Sequence, residues 1–427
     1  MKLITATLQS LTQLFLILAS VCLASAQEKS GFYLKAGDRV VFYGDSITDQ
    51  RLYTTFTETY VVTRFPRMNI FFVHSGWGGD RVSGGGGGPI ELRLKRDVFA
   101  YHPTVVTIML GMNDGSYRAF DQKIFDQYSG GFQRMVDDLK KNVPQLRMTL
   151  IQPSPFDDVT QPPKFEGGYN SVLVRYGEFL KELAGREKLD LADLNTPVVA
   201  ALQKAKETKL EVAQKIIPDR VHPGASGHLL MAGALLKAWH APAVVTAVEI
   251  DARGKKVSRS EQTEVTGLEV GDALRWQQLD AALPMPVDMN DPVTALAVNS
   301  SDFVESLNRQ ILKVSGLTAP HYSLKIDGAE AGSFTKEQLG EGINLALLST
   351  PMAKQAMDVH KLTLQHNNLH FTRWRQVQVP FANQKSDRVQ AATRGLLDAF
   401  DADEAEVVKQ QREAAQPVVR KYELAPE

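Results

Sequence analysis

The chain has 427 residues, of which 43% are hydrophobic and 23% charged, and its formal net charge is −1. This length exceeds the usual size of one domain, so two domains or one large core with a satellite are expected. The near-neutral charge and ordinary composition give no indication of a nucleic-acid or anionic-membrane partner.

The first 26 residues resemble a secretory signal peptide. An apolar segment follows Lys2, and A-S-A at residues 24–26 is a small-x-small cleavage signal. A membrane-spanning anchor is disfavoured because polar residues interrupt the ~20 apolar residues that a span requires. The only cysteine, Cys22, lies in this segment and follows Val21, which disfavours a lipid anchor. We therefore expect cleavage near Ala26 and a secreted or periplasmic protein without disulfides.

Short apolar runs alternate with amphipathic segments up to residue 241. This alternation predicts a doubly wound parallel sheet with helices on both faces. Five consecutive glycines at residues 84–88 predict a flexible surface loop. The predicted strands are 39–44, 69–74, 104–110, 147–152 and 189–194, and the predicted helices are 53–65, 91–101, 129–142, 169–183, 198–209 and 225–239.

The sequence changes in character from residue 243 onward. Short strand-like runs at 244–250, 263–268 and 273–278 are followed by a period-two run at 322–328 that ends in a hairpin-type Asp-Gly. Residues 353–375 and 387–422 are charge-rich and predict helices. We therefore expect an α/β domain at residues 32–241 and a smaller α+β accessory region at residues 243–427.

Polar turns follow three successive predicted strands. Ser46 follows the first, Gly79 the second and Asn113 the third, and His222 lies in an irregular segment before the last helix of this region. Parallel strands place their carboxyl ends at one edge of a sheet, where ligands bind in such folds, so these residues can converge. Taken singly, each turn is better explained by ordinary turn or helix-capping chemistry.

The converging residues match the requirements of acyl transfer. A serine hydroxyl needs an adjacent base to act as nucleophile, and the unperturbed histidine pKa of ~6.5 makes His222 suitable. Asp219 lies three residues earlier and can hold the imidazole tautomer, although the pair can also simply cap the following helix. The backbone N–H groups of Ser46 and Gly79 and the Asn113 amide can donate to an oxyanion.

Four sequence blocks resemble those of the SGNH (GDSL-type) hydrolase family, in the family's order. They are G-D-S-I-T at residues 44–48, G-W-G-G-D at 76–80, G-M-N-D at 111–114 and D-R-V-H-P at 219–223. The resemblance implies a flavodoxin-like three-layer α/β/α sandwich and a Ser-His-Asp esterase that needs no metal or cofactor. Ser75 departs from the family, which often has Asn at that position.

The resemblance implies a role for each matched residue. Ser46 is the expected nucleophile, His222 the base and Asp219 its partner, with Ser46, Gly79 and Asn113 as oxyanion donors. The expected reaction is hydrolysis of a short acyl ester, with an acetylated carbohydrate as the favoured substrate. The alternatives are a lysophospholipase or thioesterase, a carbohydrate O-acetyltransferase, and a polysaccharide-binding protein that does not catalyse.

Several other residues allow more than one interpretation. His366 and His370 have the i, i+4 spacing of metal ligands, but Asn367 stands where a zincin-type site needs Glu, so no metal site is expected. Trp77 can line a substrate subsite or pack in the core. His102, His228 and His360 are expected at the surface or at helix ends, and Asp45 is expected to fix its turn without exchanging protons.

Overall fold

The computed structural model describes residues 31–427. The predicted signal peptide at residues 1–26, including Cys22, lies outside the described residues. Within residues 31–427, no helix is both long and apolar enough to cross a membrane.

A parallel β-sheet forms the centre of the first half. Five strands pair in the order β2-β1-β5-β6-β7, and every neighbouring pair is parallel. Two further short strands, β3 and β4, pair only with each other in an antiparallel hairpin. The strands are β1 (Arg39–Gly44), β2 (Phe71–Gly76), β3 (Gly84–Gly85), β4 (Gly88–Pro89), β5 (Val105–Met109), β6 (Arg147–Ile151) and β7 (Asp190–Ala192).

Helices cover both faces of this sheet. Adjacent residues of β1 point to opposite faces: the Phe42 ring packs against Tyr53 and Trp239, and the Tyr43 ring lies under the Arg93 guanidinium. The predicted α/β fold is therefore confirmed. The helices are α1 (Ser46–Asp49), α2 (Leu52–Arg64), α3 (Ile90–Asp97), α4 (Gln122–Asn142), α5 (Gly168–Glu187), α6 (Thr196–Ala213) and α7 (Ala225–Ala238).

Local capping and packing explain where these elements differ from the predicted ones. Helix α4 begins seven residues earlier than expected because the Asp121 carboxylate accepts hydrogen bonds from the amides of Lys123 and Ile124. The predicted loop at residues 84–88 is a tight hairpin. A Cβ on Gly87 would lie 2.6 Å from atoms of both Trp77 and Arg93, so only glycine fits there.

The second half of the chain, residues 243–427, contains two more sheets. Strands β10, β11, β16, β13 and β14 form an antiparallel sheet in that order, and β15, β12, β8 and β9 form a mixed one. The strands are β8 (Val244–Asp251), β9 (Lys256–Glu261), β10 (Thr263–Val270), β11 (Leu274–Asp280), β12 (Arg309–Ser315), β13 (His321–Ile326), β14 (Ala329–Thr335), β15 (Ile343–Asn344) and β16 (Val419–Pro426). The helices are α8 (Pro292–Asn299), α9 (Phe303–Leu307), α10 (Lys336–Glu341), α11 (Pro351–Phe371), α12 (Val379–Phe381) and α13 (Asp387–Ala414).

The prediction of a helix over residues 387–422 was wrong at its end. Helix α13 stops at Ala414, Pro417 follows, and β16 then runs through the middle of the antiparallel sheet. Tyr422 and Leu424 are buried while their charged neighbours face outward, which is strand periodicity. Strands β9, β12 and β14 were also not predicted.

The two halves share side-chain packing. The main core, built around the parallel sheet, also contains Phe303 and Leu307 of α9, and the second core contains Val62 of α2. Helix α11 lies along α2, where the Asn367 amide donates to the Thr55 hydroxyl over 2.6 Å. The division of the chain near residue 242 therefore stays a prediction.

Candidate active site

Ser46 lies at the carboxyl end of β1, at the first position of α1. The turn before it is tight: a Cβ on Gly44 would lie 2.2 Å from the Thr48 hydroxyl oxygen and 2.7 Å from the Met109 carbonyl oxygen. The buried Asp45 caps α1 by accepting the Ile47 amide over 3.0 Å. The N–H of a first helical residue has no acceptor within its own helix, so the Ser46 amide is available to a ligand.

His222 lies between Ser46 and Asp219. Its Nε2 is 2.8 Å from Ser46 Oγ, and its Nδ1 is 2.7 Å from Asp219 Oδ2. The other Asp219 oxygen accepts the backbone amides of Val221 and His222. Burial alone would raise the pKa of Asp219, but these hydrogen bonds outweigh it and hold the pKa below its ordinary value. The Ser46 hydroxyl, the His222 imidazole and the Asp219 carboxylate thus form one hydrogen-bonded chain.

Arg220 fixes the loop that carries this pair. It adopts a left-handed backbone with φ of +75°, and its guanidinium donates to the Pro162 carbonyl over 2.8 Å. Its own carbonyl accepts the Asp157 amide over 2.9 Å. The loop after β6 therefore supports the loop of Asp219 and His222.

The second glycine-rich turn packs directly on α1. A Cβ on Gly76 would lie 2.1 Å from the Asp49 amide nitrogen, and one on Gly78 would lie 4.0 Å from Ser46 Cβ. Asp49 Oδ2 accepts the Gly78 amide over 3.2 Å. Gly79 follows with a φ of +77°, a conformation that favours glycine. The structure thus brings the Gly79 turn beside Ser46.

The buried Arg93 of α3 anchors this turn, and sequence reasoning did not identify it. Its Nε donates to Asp80 Oδ2 over 2.7 Å, its Nη2 donates to the Ser75 carbonyl over 2.9 Å, and its Nη1 pairs with Asp97. Ser75, the departure from the family pattern, donates its hydroxyl to the Asp97 carbonyl over 2.7 Å. The second block therefore has a fixed geometry despite that departure.

Asn113 is tied to the same turn. Its Nδ2 donates to the Asp80 carbonyl over 3.0 Å, and its Oδ1 accepts the Tyr117 hydroxyl over 3.0 Å. Nδ2 carries a second hydrogen that is left for another acceptor. Tyr117 was not predicted; the signal for it is an aromatic residue four positions after the expected donor.

The second half contributes to the wall of the site. Helix α11 continues into a π-helical turn (Thr372–Gln378) that carries Trp374 and Arg375. Trp374 meets the Trp77 ring edge-on at 5.7 Å, and the Arg375 guanidinium carbon lies 3.0 Å from the centroid of the same ring. Trp77 therefore both packs and borders the site.

Two buried carboxyls lie beneath the site. Burial raises the pKa of Asp45 to about 7 and that of Asp114 to about 6. His228, expected at the surface or at a helix end, lies in the first turn of α7 and is buried. Its Nδ1 accepts the Tyr53 amide and its Nε2 donates to Gln50. Burial lowers the pKa of His228 to about 3, so this histidine is neutral.

His366 and His370 both face carboxylates, and both lie near Glu404 Oε1. Both nitrogens of His366 contact glutamates, with Nδ1 2.9 Å from Glu58 and Nε2 3.0 Å from Glu404. No group of three or more potential ligands among residues 31–427 is arranged to hold a metal ion. A cavity of about 890 Å³ adjoins this cluster and Phe71, away from Ser46.

Ser46, His222 and Asp219 are in hydrogen-bond contact at the carboxyl edge of the parallel sheet. This arrangement supports acyl transfer. Residues 42–230 match the model of the GDSL-like lipase/acylhydrolase family. This part of the chain is similar to that family, and the protein is an ester-hydrolysing enzyme. The family predicted from the four blocks is thereby confirmed.

Two relatives extend this comparison. The acetylxylan esterase of Geobacillus stearothermophilus is 25% identical over 224 residues, which cover 47% of this chain and 94% of that enzyme. The solved structure of a gut microbial diltiazem-metabolizing enzyme is 28% identical and superposes with a TM-score of 0.79. It covers 93% of this chain and 100% of its own, so the likeness includes the second half.

Proposed function

We propose that this protein is a secreted serine esterase that removes short acyl groups, acetyl groups foremost, from carbohydrates. The observation that carries the proposal is the contact of Ser46 Oγ with His222 Nε2 at 2.8 Å, in line with the contact of His222 Nδ1 with Asp219 at 2.7 Å. A general base must be within hydrogen-bond reach of the proton it takes, and this one is.

Acylation begins when Ser46 Oγ attacks the ester carbonyl carbon and His222 Nε2 takes the hydroxyl proton. The carbonyl electrons move to the oxygen, which accepts hydrogen bonds from the amides of Ser46 and Gly79 and from Asn113 Nδ2. Asp219 stabilises the imidazolium that forms. His222 then gives its proton to the alcohol oxygen as the carbon–oxygen bond breaks, and the acyl group stays on Ser46.

Deacylation repeats these steps with water. His222 takes a proton from water, the hydroxide adds to the acyl carbon, and the same donors hold the second oxyanion. Collapse of this intermediate returns the proton to Ser46 Oγ and releases the carboxylic acid. No metal or cofactor takes part in the proposed reaction.

The likeness to an acetylxylan esterase supports an acetylated carbohydrate as substrate. The ring of Tyr117, which is 44% exposed and lies beside Asn113, also supports it. Flat aromatic faces with polar neighbours suit an amphipathic sugar ring. The signal peptide, cleaved near Ala26, would deliver the enzyme to extracellular polysaccharide.

We also propose a role for each part of the chain. Residues 1–26 are the signal peptide, residues 32–241 the hydrolase domain, and residues 243–427 an accessory region. The confinement of the five parallel strands to residues 39–192 supports this division.

An acetate-release screen tests the proposal. Purified protein is incubated with acetylated xylan, pectin, simple sugar acetates, long-chain esters and diltiazem. We expect the highest kcat/KM on acetylated carbohydrate, and a fall of at least about 10³-fold in Ser46→Ala. Ser129→Ala is the matched control, because this half-buried serine of α4 donates its hydroxyl to the Asp126 carbonyl of its own helix. Full activity in Ser46→Ala, or a maximum at long acyl chains, would refute the assigned nucleophile or substrate respectively.

A further inference from the structure

One cation from the second half reaches the wall of the proposed active site. Arg375 lies in the π-helical turn at Thr372–Gln378, and such turns are frequent at functional sites because they widen the helix and redirect its side chains. The neighbouring Trp374 is 1% exposed and donates its indole N–H to Asp97 over 2.6 Å. The turn is thus anchored, and Arg375 projects from it over Trp77.

Arg375 is linked to the turn of Gly79 through one carboxylate. Its Nη2 lies 3.7 Å from Asp49 Oδ2, and that same oxygen accepts the Gly78 amide over 3.2 Å. Gly78 directly precedes Gly79. Two contacts therefore connect a residue of the second half with the backbone that is proposed to bind the oxyanion.

Asp49 depends on nearby positive charge. Burial raises the pKa of Asp49, and Arg375 is the strongest of the cations that oppose this rise, ahead of Arg51 and Arg93. Arg375 Nη1 and Asp49 Oδ1 are also buried atoms for which residues 31–427 provide no hydrogen-bond partner. The pair is therefore held by a few contacts, and removing one partner leaves the other charge poorly compensated.

We propose that Arg375 is a positioning residue of the esterase: it holds the Asp49 carboxylate against the Gly78 amide, and so fixes the turn that presents the Gly79 N–H. This inference rests on the proposed function. It gives the second half a part in the reaction, since the oxyanion turn is then fixed from residues of both halves. Donors that are aimed in advance at the developing charge stabilise the transition state more than the bound substrate.

Kinetics of the full-length protein test this role. We expect Arg375→Gln to lower kcat for p-nitrophenyl acetate by about 10- to 100-fold with little change in KM, since small displacements of catalytic groups have effects of this size. Arg375→Lys keeps a charge near Asp49, and we expect it to recover a large part of the lost kcat.

Arg373→Gln is the matched control. Arg373 lies on the same turn but pairs with Asp401 at 2.5 and 2.9 Å, away from Asp49. We expect kcat in this variant to stay within about twofold of wild type. An equal loss in Arg373→Gln would overturn the proposal, because it would indicate general disturbance of the turn.

The rate at which a fluorophosphonate labels Ser46 gives a second readout that needs no substrate. We expect this rate to fall in Arg375→Gln in parallel with kcat. Unchanged kcat and labelling in Arg375→Gln, or an Arg375→Lys variant as slow as Arg375→Gln, would overturn the inference while the proposed esterase stands. A wild-type protein that neither labels nor turns over esters would overturn both.

Discussion

The hydroxyl of Tyr117 donates a hydrogen bond to the side-chain carbonyl of Asn113 over 3.0 Å. Tyr117 and the preceding Ser116 both have left-handed backbones, with φ of +55° and +57°. Such conformations cost about 1–3 kcal/mol each in non-glycine residues and often occur at functional sites. Packing of the Tyr117 ring on Tyr169, at 5.1 Å between centroids, helps to offset this cost.

Tyr117→Phe tests whether this hydrogen bond orients the Asn113 amide. The ring and its packing remain, but Asn113 Oδ1 loses its donor, so the amide rotates more freely. We expect kcat/KM for p-nitrophenyl acetate to fall about 10-fold, which is less than the roughly 10²-fold or greater cost of deleting an oxyanion donor. Tyr169→Phe removes a comparable hydroxyl, which donates to the Met112 carbonyl and accepts the Tyr117 backbone amide, and its effect on kcat/KM should be clearly smaller.

Asp219→Asn separates a catalytic role from loop capping. Asp219 caps two backbone amides and also holds His222, whereas Asp193 caps the amides of Asn195 and Thr196 without contacting a histidine. We expect Asp219→Asn to lower kcat by about 10²- to 10⁴-fold, since an amide at this position favours the wrong imidazole tautomer. Asp193→Asn should lower stability alone. Similar kcat values in the two variants would favour the capping interpretation.

Gly76→Ala should disturb both stability and activity. The new Cβ would lie 2.1 Å from the Asp49 amide nitrogen, so the turn must move away from α1, the helix that carries Ser46. We expect a loss of at least about 2 kcal/mol in the free energy of unfolding. Gly185→Ala, near the end of α5 with nothing within 4 Å of the new Cβ, should be neutral or slightly stabilising in the same urea titration.

His366 predicts a pH dependence of stability. Burial alone would lower the pKa of His366, but the carboxylates of Glu58 and Glu404 outweigh burial and leave this pKa raised to about 10. A group whose pKa is raised in the folded state stabilises that state fully below its unfolded pKa of ~6.5 and loses this contribution as the pH rises through about 10.

His366→Gln should therefore cost about 3–5 kcal/mol near pH 6, where it leaves two buried carboxylates without their cation. The difference from wild type should shrink as the pH approaches 10, as followed by urea denaturation across this range. His321→Gln, an exposed histidine of β13, should change the free energy of unfolding by no more than about 0.5 kcal/mol at any pH. A His366→Gln deficit that is independent of pH would contradict the assigned ionisation.

The sequence sufficed for the centre of the parallel sheet because β1, β2 and β5 are largely apolar runs followed by glycine-containing turns, for example Val105–Met109 before Gly111. It also sufficed to collect Ser46, Asp219 and His222 at one edge, since that edge is common to all parallel strands. The sequence could not predict contacts that leave no local sequence pattern. Arg93 lies in a charge-rich helix that resembles a solvated face, yet it is buried.

Other differences have equally specific causes. His228 was expected at the surface or at a helix end. It lies in the first turn of a helix that is apolar on all sides, which is typical of a buried helix and explains why this histidine is buried. The strand at Val419–Pro426 was hidden by alternating charges, although Pro417 marked the end of the helix before it. Arg375 is separated from Asp49 by more than 300 residues, and no local signal connects them.

The central position of β16 in its sheet also constrains the order in which parts of the protein can fold during synthesis. Because β16 lies between β11 and β13, the antiparallel sheet cannot close until residues 419–426 have left the ribosome. A nascent chain that already contains all four sequence blocks still lacks the wall around Trp374 and Arg375 and the sheet behind it. The wall around Trp77 is therefore completed only after all four blocks have been synthesised, and the antiparallel sheet later still.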